Sequence, residues 1–228
     1  MSDAAATSRY RLGGLLLLLA LTYFVGEAWA ATGWQGRPYH WTIDAISELG
    51  VPEVRHDGTG PFVSTRHAVM NATFVGTGVR VLLVAAVLAP FVPRRARRTV
   101  LILAALHGVG LLLVGFFPIG PGLRAAMHGI GALLTIAGGS ALLVALTISM
   151  WGRCPRLARV TAVLAVLSVI GSACGVAAIG GFGLVERLAV YTVVLWQVIA
   201  GVVVLTGRPV SRADRPDRPV NPTSTART

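Results

Sequence analysis

Residues 99–117 read TVLILAALHGVGLLLVGFF, nineteen positions in which a single histidine is the only ionisable side chain. A helix rises about 1.5 Å per residue, so about 20 mostly apolar residues cross the hydrocarbon core of a bilayer. The stretch lies between PRRARR at residues 93–98 and PIGPG at residues 118–122. Because lipid offers the backbone no hydrogen-bond partner, the stretch predicts a membrane-spanning α-helix.

Five further apolar runs of similar length lie on either side of this one. They are Leu12 to Ala31, Ala68 to Phe91, Ala125 to Met150, Ala158 to Ile179 and Leu184 to Thr206. The whole chain is 54% hydrophobic and 13% charged, whereas soluble domains carry about 25% charged residues. The sequence therefore predicts an all-α membrane protein with a bundle of six transmembrane helices.

The arginines predict the orientation of these helices. Fourteen of them fall at the N-terminus, after the second and fourth runs, and in the tail: Arg9, Arg11, Arg94, Arg95, Arg97, Arg98, Arg153, Arg156, Arg159, Arg208, Arg212, Arg215, Arg218 and Arg227. The opposite side holds five: Arg37, Arg55, Arg66, Arg124 and Arg187. Loops that stay in the cytoplasm are enriched in basic residues, so both termini are predicted to be cytoplasmic. The net charge of +11 is thus attributed to orientation, and nucleic acid is excluded as a partner.

The domain organisation follows from the same runs. Residues 1–11 form a cytoplasmic N-terminus, residues 12–206 the transmembrane domain, and residues 207–228 a tail expected to be disordered. An external loop occupies residues 32–64. The first run ends in Ala28-Trp29-Ala30, which imitates a signal-peptide cleavage site, but we expect it to remain as an uncleaved anchor.

Candidate site residues concentrate on the predicted external side. The segment WTIDAISELG, Trp41 to Gly50, predicts a short helix that ends at Gly50. Asp44, Ser47 and Glu48 would share one face of it, where two carboxylates could act as an acid/base pair or bind a cation. The alternative interpretation is a solvated polar face.

Three further ionisable residues lie in the outer turns of predicted spans. His128 lies about one turn inside the fourth span, and Glu186 and Arg187 open the sixth. Ionisable side chains within a span usually face the bundle interior and mark functional sites, although a hydrogen-bonded neutral histidine would serve structure alone. A buried Arg187 needs a carboxylate partner. We expect it to contact Glu48 or Asp44, with His128 within one water of that pair.

Two polar residues stand near the middle of their spans, Arg80 in the second and His107 in the third. His107 lies about two turns deeper than His128, which argues against a zinc site that uses both. The sequence contains no H-E-x-x-H motif, P-loop or dinucleotide fingerprint. We therefore predict no metal and no cofactor.

Five motifs occur in a fixed order: ISELG at residues 46–50, HAVMN at 67–71, GFFPIGP at 115–121, HGIGALL at 128–134 and GLVERLAVYTVVLW at 183–196. Their order and spacing resemble a bacterial integral-membrane family known as the domain of unknown function number 998. The resemblance implies a compact six-helix bundle. It also implies recurrent polar positions at Ser47, Asn71, Pro118, His128, Glu186, Arg187 and Tyr191. It implies no activity, because the family has none assigned.

Three functions remain open. The first is an extracytoplasmic polar pocket that binds or modifies a lipid or small amphiphile, which leaves enzymatic activity undecided. Its working groups would be Asp44, Glu48, His128, Glu186 and Arg187, and its ligand-binding groups Ser47, Asn71 and Tyr191. The second is a structural or regulatory membrane subunit, and the third a small-molecule transporter. Membrane lipids are the expected partners, and a bacterial plasma membrane is the expected location.

Overall fold

The computed structural model describes residues 3–56, 58 and 60–207. Within them, six helices are long and apolar enough to cross a membrane, and each overlaps one of the predicted runs. The prediction of a multi-pass helical membrane protein is therefore confirmed. The predicted disordered tail, apart from Gly207, lies outside the described residues.

The spans are built from α-helices with short connections. The helices are α1 Asp3–Leu18, α2 Leu21–Ala31, α3 His67–Leu88, α4 Arg94–Phe116, α5 Leu123–Met150, α6 Pro155–Val176 and α7 Phe182–Thr206. Two 3-10 helices occupy Ile46–Gly50 and Ala89–Phe91, and three strands occupy β1 Trp34–Gln35, β2 Arg55–His56 and β3 Pro61–Ser64. α1 and α2 together make the first span, Ala4–Ala31.

The helices form a closed ring. Each span packs against the next one along the chain, and α1 also packs against α3 and α7. The backbones of α4 and α5 lie in close contact, because a Cβ added at Gly131 would lie 2.9 Å from the Gly110 carbonyl oxygen. Small residues allow such close backbone contact in lipid, where the hydrophobic effect does not drive helices together.

α4 begins five residues earlier than predicted. The helix starts at Arg94, directly after Pro93, and includes the arginines that were assigned to the loop. Proline at this point fits the start of a helix, and long arginine side chains can reach the headgroup region from a helical backbone. A count of apolar residues locates the hydrocarbon core, whereas the helix extends beyond it.

The two ends of the bundle differ in composition. At one end, the Arg9 guanidinium donates to the carbonyls of Ala86 and Val87 at 2.8 and 2.9 Å, and the Tyr10 ring meets Phe91. These arginine contacts satisfy carbonyls that the end of α3 leaves without helical partners. We call this end, which includes residues 89–98 and 151–159, the arginine-rich end.

The opposite end carries what we call the cap, residues 32–66. β3 is the central strand of its small antiparallel sheet, with Trp34 paired to Ser64 and Arg55 paired to Phe62. The Trp34 and Phe62 rings stack with centroids 4.9 Å apart. The cap therefore closes one end of the ring with its own ordered structure.

The predicted helix over Trp41–Gly50 is wrong in extent. Only Ile46–Gly50 is helical, as a 3-10 helix, although its end at Gly50 is confirmed. Asp44 closes a separate turn in which its carboxylate accepts the His40 N–H at 2.6 Å, and Ala45 is extended with ψ at 149°. Asp44 and Glu48 therefore do not share a helix face.

The two mid-span polar residues both find partners inside the bundle. Arg80 on α3 donates to the Gln197 side chain at 2.6 Å and to the Leu16 carbonyl at 3.3 Å. His107 Nδ1 lies 2.8 Å from the Thr135 carbonyl, so this nitrogen carries the donated proton. These contacts join α1, α3, α4, α5 and α7 at depth.

Candidate functional site

Arg187 is the centre of the polar cluster beneath the cap. It lies on the second turn of α7 and is only 6% exposed, and Glu27 on α2 is 1% exposed. The two form an ion pair, with Nη2 at 3.0 Å and Nε at 3.2 Å from the same carboxylate oxygen. The prediction of a buried Arg187 with a carboxylate partner is confirmed. The partner is Glu27, however, and the predicted contact with Asp44 is made through its carbonyl oxygen and not through its carboxylate.

The same guanidinium fastens the cap to the bundle. Its Nη1 donates to the carbonyls of Trp41 at 2.6 Å and Asp44 at 2.8 Å, and Nη2 donates to the Tyr39 hydroxyl. The Trp41 ring lies 5.0 Å from the guanidinium carbon, within cation–π range. Five N–H donors in a planar fork make arginine suited to such a junction.

Asp44 and Glu48 pair within the cap instead. Asp44 accepts two hydrogen bonds from Arg37, at 2.7 and 2.8 Å, and Glu48 pairs with Arg55 at 3.1 Å. Burial alone raises the pKa of Asp44, but the bonds from Arg37 and from the His40 N–H outweigh it and hold that pKa below its usual value. Asp44 is therefore an ionised structural anchor at neutral pH.

Glu27 and Tyr39 extend the cluster. The Tyr191 hydroxyl donates to the second oxygen of Glu27 at 2.8 Å, so both oxygens of this carboxylate are engaged. Burial raises the pKa of Tyr39 well above its usual value, against the opposing effect of the Arg187 charge. Tyr39 consequently stays a neutral phenol beside the guanidinium.

Glu186 contacts the cap at a different point. One of its carboxylate oxygens accepts the N–H of Ile46 at 2.6 Å, at the start of the 3-10 helix. Asn71 on α3 donates to the Gly50 carbonyl at 2.9 Å, at the end of that helix. Both ends of the 3-10 helix are therefore held by side chains from the bundle.

A small cavity lies under this 3-10 helix. Its volume is about 30 Å³, and it is walled by apolar side chains of α3, α4, α5 and α7. Its polar lining comes from five residues: Tyr23, Ser47, His128, Thr135 and Glu186. The volume corresponds to two or three water molecules, since each needs about 10–15 Å³.

Two hydroxyls of this lining have no hydrogen-bond partner within the described part of the protein. They belong to Tyr23, which is fully buried, and Thr135, which is 6% exposed. An unpaired buried hydroxyl costs about 1–3 kcal/mol, so such groups normally have partners. The cavity thus has the polarity and the room to hold a small polar group that satisfies both.

His128 lies at the cavity with one nitrogen already used. Its Nδ1 is 3.0 Å from the Phe117 carbonyl, which requires the proton on Nδ1. In the neutral ring Nε2 is then an acceptor. The position of His128 within one water of Arg187 and its cap partner stays a prediction.

A comparison with protein families identifies the chain. The family model described as "Protein of unknown function (DUF998)" matches residues 10–203, which is most of the 228 residues. The chain belongs to the DUF998 family. No curated protein and no solved structure matches it.

All residues of the cavity and of the Arg187 cluster lie inside the part that matches DUF998. The resemblance drawn from five motifs is therefore confirmed. This DUF998 protein is an integral membrane protein of unassigned activity. Of the residues singled out from its sequence, Ser47, His128 and Glu186 meet at the cavity, whereas Asn71 and Tyr191 lie outside its lining.

Sequence reasoning missed two parts of this DUF998 site. Glu27 was not proposed as the partner of Arg187, although an acid inside an apolar run is a signal by itself. Tyr23 and Thr135 carry no such signal, because hydroxyls are common in membrane helices. Their importance follows from where the helices place them.

Proposed function

We propose that the protein binds the polar group of a small ligand, such as a lipid or amphiphile, in the cavity beneath the cap. The observation that carries this proposal is the lining, in which a carboxylate and a histidine stand with two unpartnered buried hydroxyls. Binding sites are typically apolar pockets with a few convergent polar groups. The lining of this cavity has that composition.

The size of the cavity limits what enters it. About 30 Å³ accommodates a polar group of two or three heavy atoms, so the rest of a lipid-like ligand would lie along the bundle surface. His128 and Glu186 are both half-buried, so the cavity lies close to the protein surface. Among the proposed working groups these two remain available. Asp44, Glu48 and Arg187 are engaged in ion pairs, and we assign them to holding the cap.

A structural subunit is the second candidate. Arg187 uses its donors entirely within this chain, on Glu27, Tyr39 and cap carbonyls, which favours a structural role for the cluster. The two candidates differ in the cavity, because a structural subunit has no need of a ligand there. A substitution that fills the cavity therefore separates them.

The cavity-filling variant is Ala132→Val, with Ala137→Val as its control. Ala132 lines the cavity, and Ala137, on the same helix, lines an apolar groove on the outer face between α4 and α5. We expect the purified wild-type protein and Ala137→Val to retain a bound membrane component in native mass spectrometry, and Ala132→Val to lose it. Equal retention in both variants, or none in the wild type, would contradict the proposal and favour the structural subunit.

We further propose that the cap faces away from the cytoplasm, in a bacterial plasma membrane. The arginine-rich end collects exposed arginines such as Arg94, Arg98 and Arg156, and loops of this kind stay cytoplasmic. Reporter fusions after Arg98 and Arg153 should report the cytoplasm. Fusions near Gly58 and Gly120 should report the outside. The opposite pattern at these four positions would reverse the topology and turn the cavity toward the cytoplasm.

A further inference from the structure

We infer that the cavity selects a primary ammonium group, either the headgroup of an aminophospholipid or a free amine. This inference rests on the proposed function and names its ligand class. It follows from three properties of the cavity: its charge, the direction of its hydrogen bonds, and its size.

The charge comes from Glu186. Glu27 is neutralised by Arg187, with 3.0 Å between Nη2 and the carboxylate. Glu186 accepts the Ile46 N–H, and no ion pair within the described residues includes it. Two carboxylates and one guanidinium leave this buried cluster one negative charge in excess when both acids are ionised. A partly buried carboxylate without a cationic partner loses part of its hydration, so a cation at its second oxygen would be stabilised.

The hydrogen-bonding groups around the cavity are acceptors or can act as acceptors. Glu186 offers a carboxylate oxygen, neutral His128 offers Nε2, and the hydroxyls of Tyr23 and Thr135 each have lone pairs. An ammonium group has three donors and no acceptor, which complements this set. Among the residues that the structure describes, no arginine lines the cavity, so a phosphate or carboxylate would meet no arginine charge in its lining.

The size separates primary from quaternary amines. A primary ammonium is about as large as one water molecule and needs about 10–15 Å³ of the available 30 Å³, whereas the four heavy atoms of a trimethylammonium group need about 40–60 Å³. The rings of Tyr23 and Phe74 also line the cavity, and aromatic faces attract cations. A multivalent metal is a poorer match. Within the described part of the chain no three His, Cys, Asp or Glu side chains group together as metal ligands do.

The test measures thermal midpoints of the detergent-solubilised full chain. Ethanolamine hydrochloride is compared with choline chloride and sodium chloride at equal ionic strength, and phosphatidylethanolamine with phosphatidylcholine in mixed micelles. We expect ethanolamine or phosphatidylethanolamine, at about a hundredfold excess over Kd, to raise the midpoint by about 5–10 °C. The choline compounds and sodium should leave it within error.

Three variants test whether this shift of the thermal midpoint arises from binding in the cavity. Glu186→Gln keeps an acceptor for Ile46 but removes the charge, and it should abolish the shift, as should Ala132→Val. Glu53→Gln, in an exposed part of the cap, should keep it. A response to free ethanolamine identifies an amine ligand, and a response to phosphatidylethanolamine alone identifies the lipid headgroup.

Other outcomes overturn the inference. An equal shift with choline or sodium, or a shift that persists in both Glu186→Gln and Ala132→Val, would show that no primary ammonium binds at this carboxylate. If none of the probes acts but the wild type retains a component that Ala132→Val loses, this inference fails and the proposed function stands. If the wild type retains nothing and no probe acts, both fail.

Discussion

Replacing Arg187 by alanine is expected to lower the free energy of unfolding by about 3–5 kcal/mol, because it leaves Glu27 as an unpaired carboxylate in a buried site. The cap also loses the donor that holds the carbonyls of Trp41 and Asp44. At about 2–4 °C per kcal/mol, the thermal midpoint in detergent should fall by roughly 6–20 °C. Circular dichroism or tryptophan fluorescence during heating would measure it.

Arg55→Ala is the matched control. Arg55 also pairs with a glutamate of the cap side, Glu48, but its side chain is 37% exposed. Exposed ion pairs contribute about 0–1 kcal/mol, so the midpoint should move by only a few degrees. Equal effects of the two substitutions would show that the Arg187 cluster does not hold the cap closed over the bundle.

The second large effect is expected at the crossing of α4 and α5. A Cβ at Gly131 would lie 2.8 Å from Leu113 Cβ, 2.9 Å from the Gly110 oxygen and 2.9 Å from the Val114 nitrogen. Two of these atoms belong to backbone, which cannot move without shifting the helix. We expect Gly131→Ala to destabilise the protein by about 1–3 kcal/mol, the usual cost of overpacking.

Gly129→Ala should act in the opposite direction. Gly129 is in the same helix, two residues earlier, and an added Cβ meets nothing within 4 Å. Alanine is favoured over glycine in a helix interior by about 1 kcal/mol, so this variant should be slightly more stable than the wild type. Thermal midpoints of both variants, measured side by side, test the packing. Two changes of the same sign would contradict the close α4–α5 contact.

Hydropathy predicted the spans because burial in lipid is a property of each segment alone. The run Thr99–Phe117 became α4, and its predicted end at Phe117 lies one residue from the end at Phe116. The structure of the cap was harder to predict, because a local hydrogen bond from the His40 N–H to the Asp44 carboxylate replaces the helix that the pattern over Trp41–Gly50 indicated. Tertiary and side-chain contacts decide such short segments.

The carboxylate partner of Arg187 could not be predicted from the sequence. Glu27 lies near the cap-side end of the first apolar run, but hydropathy gives the depth of a residue without the rotation of its helix. The rotation of α2 turns Glu27 inward, and the turn at Asp44 sends that carboxylate toward Arg37. The cavity depends on even more elements, since Tyr23, Ser47 and Thr135 come from three separate segments.

The Arg187–Glu27 pair also sets an order of events during synthesis. The two residues are 160 positions apart, so at about 5–20 residues per second a ribosome makes Glu27 about 8–30 s before its partner. During that interval the first five spans can insert, but the cap has neither the guanidinium nor the Glu186 carboxylate that fasten it. Insertion of the last helix therefore fastens the cap and completes the cavity together, and a nascent chain arrested before Phe182 has neither a fastened cap nor a complete cavity.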